Sequence, residues 1–359
     1  MEEELNKLNA CFHNRVFDGF LQKESNRYYQ IKSSIHVLNN TRNIINQYQN
    51  IDFKMINLYG LFQYLFISID ALYDLAYAIT NNKWAININN NPKLRDIKYI
   101  RNDCIGHPTY RQYGNNKVGF CYIDNENTTK DVLAYDCFLD ESDELVKKRI
   151  EINPLIENFY AEATNTLKDI YGYIVRDKNV SKIYLSPLLD RIYNSLEKSE
   201  HIVDLLDRLR DIYINSYGLE KNSKNRFLWR IDIVKSLLLI ETKNNNEYDV
   251  VIYLIKKQLK KLISMAIDAD FELFSYQAEV KIRPLHEPTM IKYAKEYIKK
   301  CGYQDIISDA NHPLFDNAMT SIINNAPDIV CDLFLMMKRE EKNQSFIYAL
   351  GSALNDEKV

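Results

Sequence analysis

Between residues 53 and 80, Phe62, Leu65, Phe66, Ile69, Leu72, Tyr73, Ala76 and Ile79 recur at steps of three and four. That spacing is the period of one buried helical face, and it commits the stretch to a long helix that must pack against other helices. Asn81-Asn82 ends the pattern. A second long helix is expected over about 24–48. A third is expected over about 154–176, opened by Asn153 as cap and Pro154 at the first helical position. Three such helices make a bundle. Only 9 Gly and 8 Pro occur in 359 residues, too few for the many tight turns of an all-β fold. The expected class is all-α.

A shorter helix is expected over 91–105, opened by Asn91-Pro92, capped by a left-handed Gly106 and stopped by Pro108. Beyond it, the strand-like runs Val118–Ile123 and Val132–Leu139 flank a polar turn, which implies a β-hairpin at about 117–140 inserted into the bundle. The polar stretch 177–187 then marks a boundary between an N-terminal domain, 1–178, and a C-terminal domain, 188–359. In the second domain helices are read at about 188–216, 225–241, 247–274, 288–301, 314–325, 327–338 and 344–354, with no repeating signature.

Charge excludes several classes of function. With 46 Lys+Arg against 49 Asp+Glu the net charge is −3, so any surface for an anionic polymer must be a local patch. No Gly-rich phosphate loop occurs, which argues against a nucleotide-driven motor or a Rossmann enzyme. Cys11, Cys104, Cys121, Cys137, Cys301 and Cys331 are scattered without a C-x-x-C pair, and reduced thiols in a cytoplasm are the expectation. No apolar run approaches the roughly 20 residues of a membrane span, and Met1-Glu2-Glu3-Glu4 is unlike the basic opening of a signal peptide. A cytoplasmic protein with no membrane contact, no cofactor and no metal is expected.

One cluster carries chemistry. In Leu94–Tyr110 an arginine, Arg101, is followed by the polar Asn102 and, at the helix end, by His107. Arginine offers a permanently charged fork for a phosphate or a developing oxyanion. Histidine moves protons near neutral pH. For RNA those groups suffice without a metal, because the substrate's own 2′-hydroxyl attacks the adjacent phosphate and leaves a 2′,3′-cyclic phosphate; DNA lacks that hydroxyl. From Asn91 to Lys117 the basic residues Lys93, Arg95, Lys98, Arg101, Arg111 and Lys117 face only Asp96 and Asp103, a local excess of four positive charges. Tyr99, Tyr110 and Tyr113 are interleaved, which suits stacking on unpaired bases. A solvated helix face edged by half-packed tyrosines has the same pattern. Asp70 and Asp74, on the rim of the long apolar helix, are placed to orient Arg101 or His107, although rim carboxylates commonly serve only solvation.

Arg101, Asn102 and His107 resemble the HEPN superfamily, whose signature is an arginine, a polar residue and, after four to six positions, a histidine within a helical bundle. The Gly106-His107-Pro108 ending is similar to that of defence-associated members. The resemblance covers roughly residues 20–176. It implies a HEPN-like bundle, metal-independent endoribonuclease activity, and a homodimer whose two motifs form one composite site. It also implies a setting in antiviral defence or a toxin system. RNA is the expected substrate, with tRNA, mRNA and rRNA all left open and tRNA or mRNA the first candidates, and a regulatory protein partner is a separate expectation for the C-terminal domain. Lys98, Tyr110 and Arg111 are the accessory RNA contacts expected.

Other features carry less. His286-Glu287 lies between Pro284 and Pro288 and lacks a second histidine at helical spacing, so a zinc-protease reading fails. His13, His36, His201 and His312 stand alone. Lys256, Lys257, Lys260 and Lys261 form a stripe expected to be a solvated helix face, with RNA guidance the minority reading. Two rivals to the nuclease are a HEPN-like module kept for binding or scaffolding, and a nucleotide-modifying enzyme. The intact Arg-Asn-His set disfavours the first, and the missing phosphate loop the second.

Overall fold

A computed structural model describes residues 1–13, 26–80, 91–112, 118–139, 144–176, 183–196, 201–223, 225–274, 284–307 and 314–355. Tyr113, Lys117, His312, the Asn81-Asn82 stop and most of the proposed boundary stretch lie outside them. The N-terminal half is a bundle of α1 (Glu2–His13), α2 (Asn26–Asn50), α3 (Met55–Thr80), α4 (Pro92–Arg101) and α5 (Ile152–Val175). Helix α3 is its axis. Leu58, Leu61, Phe62, Leu65, Leu72 and Leu75 are at most 1% exposed between α2, α4 and α5, and each such side chain contributes about 1.5–3 kcal/mol. Length and composition alone would let α3 cross a bilayer, a possibility the sequence expectation set aside. Its apolar face is here the packing face of the bundle. Inside the α2–α3 seam the Thr41 and Ser68 hydroxyls bond to each other at 2.9 Å.

The caps place the motif. Asn91 receives the Leu94 N–H at 3.3 Å and donates to Glu162 on α5 at 2.9 Å, so the capping residue that starts α4 also ties it to the bundle. The far end departs from expectation. In place of a left-handed Gly106 cap, α4 runs into a π-turn over Asn102–Gly106, closed by His107 N–H on the Asn102 carbonyl at 2.9 Å. The positive-φ glycines among the described residues are Gly218 and Gly302. Helix α5 begins at Ile152 with Glu151 as its cap, so Asn153 is not the capping residue.

The inserted hairpin is one part of a four-stranded antiparallel meander, β1 (Arg111–Gln112), β2 (Val118–Ile123), β3 (Val132–Leu139) and β4 (Glu144–Glu151), in that order. Strand β4 escaped the sequence reading because Lys147, Lys148 and Arg149 break its apolar alternation. Register aligns Phe120, Phe138 and Leu145 in one row, Cys121, Cys137 and Val146 in the next, and Tyr122, Asp136 and Lys147 in the third. Successive rows point to opposite faces. The inner face carries a disulfide between Cys121 and Cys137, contrary to the expectation of reduced thiols. The two residues are directly opposed with Cα atoms 4.3 Å apart, and the Cys121 N–H points away to Pro108. That is the close pair of an antiparallel ladder, a proximity no sequence spacing reveals.

The second half comprises α6 (Leu185–Ser195), α7 (Ile202–Tyr217), α8 (Arg226–Leu238), α9 (Asn245–Phe274), α10 (Thr289–Cys301), α11 (Gln304–Ile307), α12 (Phe315–Asn325), α13 (Asp328–Arg339) and α14 (Gln344–Asn355). The single helix expected over 188–216 is therefore two. The α6 start is capped from a distance by buried Asp270 on α9, which accepts from the Leu185 and Ser186 N–H groups and the Ser186 hydroxyl. Buried residues of both halves join in one continuous cluster from Leu5 to Leu354. At the junction Tyr173 of α5 stacks on Tyr217 of α7, and the backbones at Gly172 and Gly218 approach so closely that neither position has room for a Cβ.

Candidate functional site

The Arg101 side chain is cradled by α3. Its Nε donates to Gln63 Oε1 at 3.0 Å, its Nη1 donates to Asn102 Oδ1 at 3.0 Å, and its guanidinium carbon sits 4.9 Å from the Phe66 ring centroid. A cation over an aromatic face is attracted by the ring quadrupole, and the two hydrogen bonds fix the plane of the fork. Gly106 closes the cradle: a Cβ there would lie 2.5 Å from Arg101 Nη1 and 3.0 Å from its guanidinium carbon. The glycine is therefore a space requirement of the arginine. Sequence reading missed Gln63, and counted Phe66 with the buried face, whereas the structure leaves it half-exposed beneath the guanidinium.

The π-turn sets the rest. Asn102 is half-buried and uses both ends, its side-chain oxygen on Arg101 and its carbonyl on the His107 N–H. His107 leaves the helix at φ −142° and ψ 47° with its side chain exposed. Its imidazole makes no hydrogen bond among the described residues, so it stands open to a ligand. A π-turn inserts one extra residue into a helical ladder, and such insertions occur often at functional sites.

Asp103, counted in the sequence as an acid opposing the patch, is 2% exposed and faces the sheet. Tyr135 Oη donates to its Oδ2 at 3.3 Å, and Lys148 Nζ lies at 3.5 Å. The pair anchors the π-turn to β3 and β4. A second anchor is the Cys121 N–H on the Pro108 carbonyl at 2.7 Å, directly after His107. The Cys104 thiol is buried, and burial first, then Asp103, pushes its pKa well above the ordinary value, so it is no nucleophile. Asp103 and the two sulfurs lie within 4.8 Å of one another. Bonded to each other, however, the sulfurs are not thiolates, and Lys148 already neutralises the carboxylate, so this donor set does not suit a cation.

Asp70 is exposed and Asp74 half-buried on α3. The Asp70 carboxyl is held above its ordinary pKa, first by partial loss of water and then by Asp74, against the opposing pull of Lys98 and Arg101. Asp70 thus belongs electrostatically to the Arg101–Lys98 surface, although it hydrogen-bonds neither Arg101 nor His107. Lys98 is half-buried and Tyr110 is 58% exposed. Arg111 sits in β1 opposite Gly119.

Elsewhere, the lysine stripe on α9 is not simply solvated: its four residues are half-buried, and Lys261 donates to Ser352 of α14 at 2.9 Å. His201 and Asp204 form an exposed pair. An open cavity of about 880 Å³, lined by Tyr193, Tyr248, Tyr253, Lys256 and His286 among others, contains none of the motif residues. No family model, no curated protein and no solved structure matches this chain.

Proposed function

We propose that the chain is a metal-independent endoribonuclease of HEPN type that works as a homodimer. The observation that carries the reading is the Arg101 cradle: Gln63, Asn102, Phe66 and Gly106 hold one guanidinium rigidly at a helix end, while the π-turn leaves the His107 imidazole open to solvent. A phosphodiester oxygen accepts from the Arg101 fork. The 2′-oxygen attacks phosphorus, the bond to the 5′-oxygen breaks, and the products are a 2′,3′-cyclic phosphate and a 5′-hydroxyl. One proton leaves the 2′-hydroxyl and one must reach the departing 5′-oxygen, and a single imidazole faces only one of them at a time. Two copies of the motif related by a two-fold axis supply both groups. Asp70 and Lys98 tune the charge beside the arginine. In this reading, antiviral defence or a toxin system is the setting and tRNA or mRNA the substrate class.

The test is incubation of purified protein with total RNA in EDTA. Cleavage leaving cyclic phosphate ends, lost in Arg101→Ala and in His107→Ala while the melting temperature changes little, supports the reading. Strict Mg²⁺ dependence with 5′-phosphate ends, or an active species that sediments as a monomer, refutes it.

A further inference from the structure

The buried acids among the described residues are matched by a cation or by N–H donors, as Asp103 is by Lys148 and Asp270 by the start of α6. The buried cation is not. Arg230 of α8 is 2% exposed, and its partners among the described residues are neutral. Its Nη1 donates to Gln258 Oε1 of α9 at 2.5 Å, and its guanidinium carbon lies 5.5 Å from the neighbouring Trp229 ring. The Arg230 Nε–H is buried with no acceptor, and so is the amide nitrogen of the fully buried Gln258. The arginine dictates which way that amide faces, because only its oxygen can accept.

A guanidinium cannot relieve such burial by losing its proton, since it stays ionised in proteins. Its neighbour adds to the cost. Arg226, half-buried and one turn earlier on the same face of α8, brings a second positive charge, and burial first and then Arg230 lower its pKa. Phe227, Ile231 and Val234 of the same helix are buried apolar residues. A water molecule would accept from the Arg230 Nε–H but would leave the charge unbalanced, whereas an anion does both. With Nη1 taken by Gln258, the Nε–Nη2 edge remains, a pair of parallel donors matched to two oxygens of one oxyanion. We propose that this edge of Arg230, backed by Gln258 and flanked by Arg226, seats a small inorganic oxyanion of the phosphate class. Tyr348 of α14 and Tyr73 of α3 also act on Arg226, so the site lies where the second half meets the helix that carries Gln63 and Phe66. It is independent of the nuclease reading.

The probes are inorganic phosphate, sulfate and chloride, each titrated against the full chain at constant ionic strength with bulky isethionate as the balancing anion. Between roughly 0.1 and 10 mM phosphate the melting temperature should climb with the logarithm of concentration, by about 3–5 °C in all. Sulfate should act similarly, and chloride about tenfold more weakly, because a single sphere cannot use both donors of the fork. Arg230→Lys keeps the charge without the fork and should weaken phosphate about tenfold, and Arg230→Met should abolish the response. On the unaltered chain, phosphate should slow amide hydrogen exchange in α8 and α9, a result that requires no variant to fold. A melting temperature that follows ionic strength alone overturns the proposal, as does protection confined to other elements. An unchanged response in Arg230→Met means an adventitious ion only, and chloride as effective as phosphate would replace the oxyanion by a halide; either outcome also overturns it.

Discussion

Arg101 illustrates how much of this site is held by residues with no chemical role. Its guanidinium occupies the space a side chain at position 106 would fill, and it is pinned by one amide from α3 and one from its own neighbour. Gly106→Ala therefore separates function from stability. Alanine favours helical backbone over glycine by roughly 1 kcal/mol, which about offsets the loss of the Gln63 hydrogen bond and the Phe66 contact, so the variant should melt close to the parent temperature. Its methyl would force the guanidinium off Phe66 and Gln63, and RNA cleavage should fall by about tenfold to a hundredfold, the range of a misplaced catalytic group. Unchanged cleavage would show that the cradle is not the working geometry of Arg101.

At the scale of elements, the π-turn is fastened to the sheet by the Asp103–Lys148 pair and by the β2 backbone. Asp103 is buried while the Lys148 side chain is 27% exposed, so removing the acid should cost near the lower end for buried pairs, about 3 kcal/mol. Urea denaturation of Asp103→Ala measures this. Because much of that cost is an orphaned charge, the double variant Asp103→Leu, Lys148→Met should recover more than half of it. A single variant as stable as the parent would mean that the sheet does not hold the motif. The Cys121–Cys137 bond makes a separate prediction. Alkylation of the denatured chain should modify four thiols without reductant and six with it, and six without reductant would dismiss the cross-link.

In the whole molecule, the two halves are joined by a buried carboxylate as well as by apolar packing. Asp169 on α5 accepts from the Ser223 hydroxyl at 2.5 Å and the Glu220 N–H at 3.3 Å, both on the segment between α7 and α8. Burial pushes its pKa up to about 6, against the opposing effect of those two bonds. A folded-state value above the unfolded one means that the folded chain keeps a proton the unfolded chain has already lost. Stability from this group is therefore highest below the ordinary aspartate range and falls as pH rises to about 6, by roughly 3 kcal/mol in total. Asp169→Asn keeps an acceptor for both donors and carries no proton to lose. The urea midpoint of the variant relative to the parent should rise between pH 4 and pH 7, and a difference that stays flat with pH would place Asp169 in water.

The helices were legible in the sequence because each buries one stripe, and a stripe of period 3.6 is a local property: α3, α9 and α13 lie close to where their apolar residues put them. Arg101, Asn102 and His107 were legible as a motif, and Asn91-Pro92 as its helix start, since capping is settled within four residues. What lay beyond the sequence is what joins distant segments. Gln63 and Phe66 hold Arg101 from 38 and 35 positions away, and Cys121 meets Cys137 only through strand register. Lys148 interrupts the apolar pattern of β4 because its partner, Asp103, is on another element. Gly106 showed as a glycine, but its reason is a guanidinium folded back upon it, where the local pattern suggested a left-handed cap. Local periodicity reports which face of an element is buried. Only packing decides which polar group on that face finds a partner, because a buried charge or amide is satisfied by whatever lies across the interface and not by its neighbours in the chain.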